Sequence, residues 1–285
     1  MTRHDQATTL RNLVLRTSRA ASSVKGNSAR SIVLCGGQAG LGTTTVAVHL
    51  AMALARQGQR TVLIDTDLVH AGAATYCGTR APWNLAEVLA GKRTIHEVLV
   101  LGPAGIQLVA GSRIDEHQAL WTQHNIQRLL SQVASLGRHA DIVIFDAAST
   151  DKESLAPLWK ETTDVLLVTS PDDGDVMDAY ALVKSMWSKS VVLPRLKLVV
   201  NRVASEEVAS DVYHRLDRSC RRFLELPLDY AVGLPLVESP LAIGSTFSPS
   251  RLEAFESVLN LTLDRCAAQY VDGLGSASLS APNAA

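Results

Sequence analysis

The sequence predicts an α/β protein built on a doubly wound, mostly parallel sheet flanked by helices. Three observations carry that prediction. Short runs of β-branched and aliphatic residues recur at 32–34, 61–65, 142–146, 165–168 and 196–201, the composition of strands buried on both faces. Helically spaced stretches separate them at 45–56, 125–136, 175–188 and 206–223, the rhythm of a parallel sheet with crossover helices. The first strand also runs straight into a glycine loop and then a helix.

In the first unit, Ile32-Val33-Leu34 leads into Gly36-Gly37-Gln38-Ala39-Gly40-Leu41-Gly42-Thr43-Thr44-Thr45, and Val46, Leu50, Ala53 and Leu54 form the inward stripe of the helix that follows. The second strand ends in Asp65, followed by Thr66 and Asp67, and the strand at 142–146 ends in Asp146. Residues 249–266 have the spacing of a closing helix, and 269–285 have the Gly/Ser/Ala/Pro composition of a disordered tail. The expected organisation is a basic, flexible segment over 1–30, one domain over 31–268, and the tail.

Composition narrows the partners. Hydrophobic residues make up 47% of the chain and aromatics only 5%, which suits helices on aliphatic strands. A formal net charge of -1 gives no global attraction to nucleic acid or acidic membrane, so no nucleic-acid partner is predicted. The cysteines, Cys35, Cys77, Cys220 and Cys266, are scattered without a C-x-x-C pair, so neither a zinc site nor a disulfide framework is suggested. With no apolar run of signal-peptide or membrane-spanning length, the expectation is a cytoplasmic protein.

The glycine loop fits the phosphate-binding pattern G-x-x-x-x-G-K-[ST] with Gly37 and Gly42 in register. Glycines let backbone N–H groups approach phosphate oxygens, and the helix start at Thr43–Thr45 adds its dipole. Thr44 falls where a hydroxyl holds magnesium. Asp65 and Asp146 are strand-terminal carboxylates suited to bind Mg2+ directly or through water, and Asp67 is the candidate for positioning an attacking water. The predicted ligand is therefore ATP or ADP with Mg2+. Taken singly, each such aspartate also reads as a turn or cap residue.

Together the glycine loop, the D-x-D after the second strand and the later strand ending in aspartate resemble the MinD/ParA group of deviant Walker ATPases, and within it the flagellar regulators of the FlhG (FleN, YlxH) type. The similarity extends from about residue 4 to residue 247. It includes Asn84-Leu85-Ala86-Glu87-Val88-Leu89-Ala90-Gly91, Asp178-Ala179-Tyr180-Ala181-Leu182-Val183-Lys184 and Asn201-Arg202-Val203. The resemblance implies that Asn201 and Arg202 lie beside the base. It also implies a homodimer and peripheral attachment at a flagellated pole. His4-Asp5-Gln6-Ala7-Thr8-Thr9-Leu10-Arg11 is similar to the D-Q-A-x-x-L-R element through which such proteins stimulate an FlhF-type GTPase, which makes Gln6 the activating residue. Read plainly, the same segment is a basic tail.

Two departures matter. The family loop K-G-G-x-G-K-T has two lysines where this chain has Gln38 and Thr43. Losing the second removes a charge-assisted hydrogen bond worth about 1.5–3 kcal/mol, so nucleotide binding is expected to be weak or lost. Lys152 is the nearest replacement cation by topology. In 251–265, Leu252, Phe255, Val258 and Leu259 share a face, but Glu253, Glu256 and Asp264 oppose binding to anionic lipid, so membrane association is expected to be weak or absent. The alternative function is a pseudo-ATPase adaptor of another MinD-like system, in cellulose secretion or pilus assembly.

Overall fold

The computed structural model describes residues 29–68, 71–112, 120–148, 152–189 and 194–236, and, near the C-terminus, 264, 266–268, 270 and 271. Gln6, the segment around it, and the amphipathic stretch from 251 to 263 lie outside the described residues.

Eight strands are found among the described residues: β1 (Arg30–Gly36), β2 (Thr61–Asp65), β3 (Val100–Leu101), β4 (Gln107–Val109), β5 (Ile142–Asp146), β6 (Asp164–Thr169), β7 (Arg195–Val203) and β8 (Asp229–Pro235). They form one sheet in the order β3-β4-β2-β5-β1-β6-β7-β8. All neighbours are parallel except β3 and β4 at one edge. The five strands expected from sequence are present. β3 and β4 are too short to show a period. β8 mixes inward Ala231, Gly233 and Leu234 with half-buried Tyr230 and Val232, a weak alternation without a clear strand signal.

Helices cover both faces. On one lie α1 (Thr43–Arg56), α2 (Gly72–Tyr76) and the C-terminal residues Cys266, Ala267 and Tyr270; they pack on Ile32, Leu34, Leu63, Ile144 and Leu166. The other face carries α3 (Leu85–Leu89), α4 (Ile95–Val98), α5 (Gln123–Ser135), α6 (Lys152–Glu161), α7 (Asp173–Lys189) and α8 (Glu206–Leu224) over Val33, Cys35, Val143, Phe145 and Leu167. Successive strand residues point to opposite faces, so alternate residues of β1 feed two cores. This is why its sequence is apolar without alternation. The helix α6 carries no strong sequence signal because Pro157 lies inside it and proline ordinarily ends a helix.

Helix ends follow capping chemistry. Ser205 accepts from the Val208 N–H, Glu206 and Glu207 occupy the first turn of α8, and Arg221 and Arg222 its last, an arrangement matched to the helix dipole. At the amino end of the sheet, Asp164 is fully buried and pairs with Arg30 at 2.9 Å and Arg195 at 3.0 Å. Arg30 also donates to the Tyr270 carbonyl at 3.1 Å and stacks 4.6 Å from that ring. Lys197 approaches the same ring at 4.6 Å. This clasp ties the first strand to the C-terminal helical residues.

Candidate nucleotide-binding site

β1 delivers the glycine loop to the carboxyl end of the sheet, between β5 and β6. Gly40 and Gly42 both adopt φ of 84°, left-handed backbone that glycine enters without strain, and Gly42 becomes the N-cap of α1. Gly37 has a different constraint: a Cβ there would lie 2.4 Å from the Asp178 carbonyl carbon and 2.7 Å from the Ala179 nitrogen. The loop is therefore pressed against the backbone of α7.

Thr43, at the usual lysine position, is buried. The Gln38 side chain donates to Asp175, a buried carboxylate that also accepts from the Ser170 hydroxyl. Ser170 Oγ in turn accepts from the Asp172 N–H at 3.1 Å. From the far side, Asn201 Nδ2 donates to the Leu41 carbonyl at 2.7 Å and Arg202 Nη2 to the Gly40 carbonyl at 2.6 Å.

The carboxylates meet because β2 and β5 are neighbours, with Asp65 and Asp146 in register. Both are buried. Burial pushes the Asp146 carboxyl well above the usual range and the adjacent Asp65 charge pushes it further, while the Thr44 hydroxyl bonded to it pulls the other way. Asp65 is raised by burial too, although the N–H groups of Asp67, Ala73 and Gly111 all donate to it. Its carboxylate thus knits three chain segments together. Thr66 donates through both its N–H and its hydroxyl to the Asp146 carbonyl, at 3.0 and 2.7 Å, and Asp67 sits buried beside them.

Mg2+ suits this arrangement. Asp146 Oδ2 is buried without a hydrogen-bond partner among the described residues, and a carboxylate with a hydroxyl forms a hard oxygen donor pair. No group of three or more His, Cys, Asp or Glu side chains among the described residues could hold a metal. The remaining ligands would be phosphate oxygens and water, as magnesium prefers.

The structure thus gathers Gly37 to Thr45, Asp65, Asp67, Asp146, Asn201 and Arg202 at one end of the sheet. Lys152 opens α6, but its side chain lies outside the described residues. Sequence reasoning missed three residues. Asp175, held by the Ser170 hydroxyl, anchors Gln38. Gly111 is required because a Cβ there would come 2.3 Å from the Asp67 carbonyl oxygen. Only the glycine after β4 could have been suspected from sequence, as a site of close backbone approach.

Fold and site together define a P-loop ATPase architecture. The family model described as "ATPase MipZ" matches residues 30–186, more than half the chain, and the chain belongs to that family, within the MinD/ParA group. Among curated relatives it is similar to the antiactivator FleN of Pseudomonas aeruginosa, 28% identical over 208 residues that cover 73% of this chain and 74% of FleN. It is also similar to the flagellum site-determining protein YlxH of Helicobacter pylori, 24% identical, covering 75% of this chain and 71% of YlxH. Among solved structures, the septum site-determining protein MinD of Pyrococcus horikoshii, complexed with Mg-ADP, superposes with a TM-score of 0.66 at 20% identity, covering 89% of this chain and all of that one. No helix among the described residues is long and apolar enough to cross a membrane.

Proposed function

We propose that this chain is a FleN/YlxH-like regulator of flagellar number or placement that binds Mg-nucleotide weakly and acts on an FlhF-type GTPase through its N-terminal segment. The observation that carries the reading is the similarity to FleN and YlxH across about three quarters of both chains, joined to the D-Q-A-x-x-L-R element at Asp5 to Arg11. In this reading the amides of the glycine loop, from Gly37 through Thr45, cradle the phosphates, and the loop has no lysine to add charge. Thr44 and Asp146 hold magnesium, which supplies positive charge against the phosphate oxygens. Asp65 shapes that pocket and contributes through water, and Asp67 orients an attacking water. Asn201 and Arg202 border the nucleotide. Gln6 orients water in the partner's site, a task that needs a neutral hydrogen-bonding side chain. In this reading attachment to the membrane is weak, peripheral and polar, and a homodimer follows the pattern of the group.

Thr43 in place of lysine favours a second reading, an adaptor that keeps the fold without turning over ATP. Calorimetric titration with Mg-ATP and Mg-ADP beside a phosphate-release assay decides between them: saturable binding supports the regulator with a working nucleotide site, and no heat supports the adaptor. The partner role has its own test. Gln6→Ala is expected to abolish stimulation of the GTPase while leaving the melting curve of the chain unchanged. Stimulation equal to that of the unaltered chain would sink it.

A further inference from the structure

We infer that Asn201 and Arg202 are positioning residues that preset the phosphate loop by gripping its carbonyls, and that Arg202 supplies through the loop's peptide plane part of the charge that Thr43 withholds. The inference deepens the nucleotide-binding reading above and depends on it.

The argument begins with peptide geometry. A trans peptide is planar, so the carbonyl of one residue and the N–H of the next point in opposite directions. Arg202 holds the Gly40 carbonyl at 2.6 Å, which aims the Leu41 N–H away from β7. Asn201 holds the Leu41 carbonyl at 2.7 Å, which aims the Gly42 N–H the same way. Neither N–H meets a backbone acceptor among the described residues. Two successive donors therefore face the side of the loop away from the clamp, the arrangement of an anion-binding nest.

The clamp itself is built under constraint. Arg202 has φ of 62°, a left-handed conformation that disfavours an arginine and is kept at functional sites when surroundings impose it. Asn201 stabilises it, its Oδ1 accepting from the Arg202 N–H at 2.9 Å. The left-handed turn folds the guanidinium back onto the loop. Gly42 completes the fit, since a Cβ there would lie 2.6 Å from Asn201 Nδ2.

Charge adds to geometry. A cation donating to a carbonyl polarises that peptide and strengthens its N–H as a donor, the cooperativity of linked hydrogen bonds. An ordinary phosphate loop places a lysine on the phosphate directly. Here position 43 is neutral and buried, and Arg202 acts on the carbonyl side of the Gly40–Leu41 peptide, whose N–H faces the other way. A lysine restored at 43 would make that contribution redundant.

The test is a double-mutant cycle in the full-length chain, with Mg-ADP as the probe, read by calorimetry. Arg202→Gln is expected to weaken Mg-ADP about 5- to 10-fold, as for loss of one charge-assisted hydrogen bond. Arg202→Lys should recover part of the loss. In the Thr43→Lys background the Arg202→Gln loss should shrink to about twofold or less. A merely structural role for Arg202 would give the same loss in both backgrounds, and that outcome overturns the inference, as does unchanged affinity in Arg202→Gln. Arg202→Gly, which accepts the left-handed backbone, replaces the glutamine variant should that one not melt cooperatively. If the wild-type chain and Thr43→Lys both melt cooperatively yet bind no nucleotide, the nucleotide reading itself falls and this inference falls with it.

Discussion

The two ends of the sheet bury carboxylates in opposite ways. At the amino end, Asp164 is enclosed between Arg30 and Arg195, with Tyr270 stacked over the first arginine. At the carboxyl end, Asp65 and Asp146 lie side by side, and what faces them is a hydroxyl, backbone amides and each other. A buried charge is tolerable when a partner and hydrogen bonds compensate it. The amino end carries its own compensation, as a structural joint should. Asp164 Oδ1, although not hydrogen-bonded by strict geometry, lies 3.0 Å from the Arg195 guanidinium, whereas Asp146 Oδ2 has neither a hydrogen bond nor an ion pair among the described residues.

Breaking the amino-end pair should have the largest effect. Asp164→Ala leaves Arg30, whose side chain is only 10% exposed, buried without its carboxylate. Removing one member of a buried pair costs about 3–5 kcal/mol, so the melting temperature should drop by about 10 °C in a chain of this size. The Mg-ADP affinity of the folded fraction should stay within about twofold, since the whole sheet separates the two ends. A melting point unchanged within error would show that the clasp is ornamental.

At the other end the same kind of substitution should stabilise. Asp146→Asn removes a buried charge, keeps the size of the side chain, and retains an oxygen to accept from Thr44 and from the Ala148 N–H at 3.3 Å. In EDTA the variant should be more stable by about 1–2 kcal/mol, read as a rise in melting temperature, and it should lose the response to Mg-ADP. Opposite signs from two buried aspartates would confirm the contrast. A destabilised Asp146→Asn would mean that this carboxylate is structural as well.

The contrast between the two ends also explains what the sequence could reveal. The glycine loop, Thr44, Asp65, Asp67 and Asp146 could be singled out as candidates because they are the residue types that a phosphate cradle and a magnesium site would demand next to strand ends, and strands buried on both faces announce themselves by composition. That Asp65 and Asp146 would be neighbours was not legible, because strand order is a tertiary property: β5 inserts between β2 and β1. The clasp was hidden for the same reason. Arg30 and Asp164 are 134 residues apart, and an isolated arginine before a strand reads as solvated charge. Asn201 and Arg202 were placed at the nucleotide by resemblance alone. The structure adds the contacts from their side chains to the carbonyls of residues 40 and 41, which no spacing in the sequence encodes.

The smallest expected effect sharpens the comparison within the loop itself. Gln38 reaches Asp175, and Asp175 also holds Ser170, so the bond looks like a latch on the phosphate loop. Gly37, one residue earlier, is already fixed by backbone packing on α7 so close that no Cβ fits. Packing of that kind outweighs a single part-buried hydrogen bond to a carboxylate, whose net worth is about 1.5–3 kcal/mol at most and less for an amide as exposed as that of Gln38. Gln38→Ala should therefore lower stability by no more than about 1–2 kcal/mol and change Mg-ADP affinity by no more than about threefold. Gly37→Ala, which must push α7 aside, should lower affinity by tenfold or more. Were Gln38→Ala the more damaging of the two, the loop would owe its shape to the polar latch rather than to contact with the helix, and Asp175 would join Asn201 and Arg202 among the residues that position it.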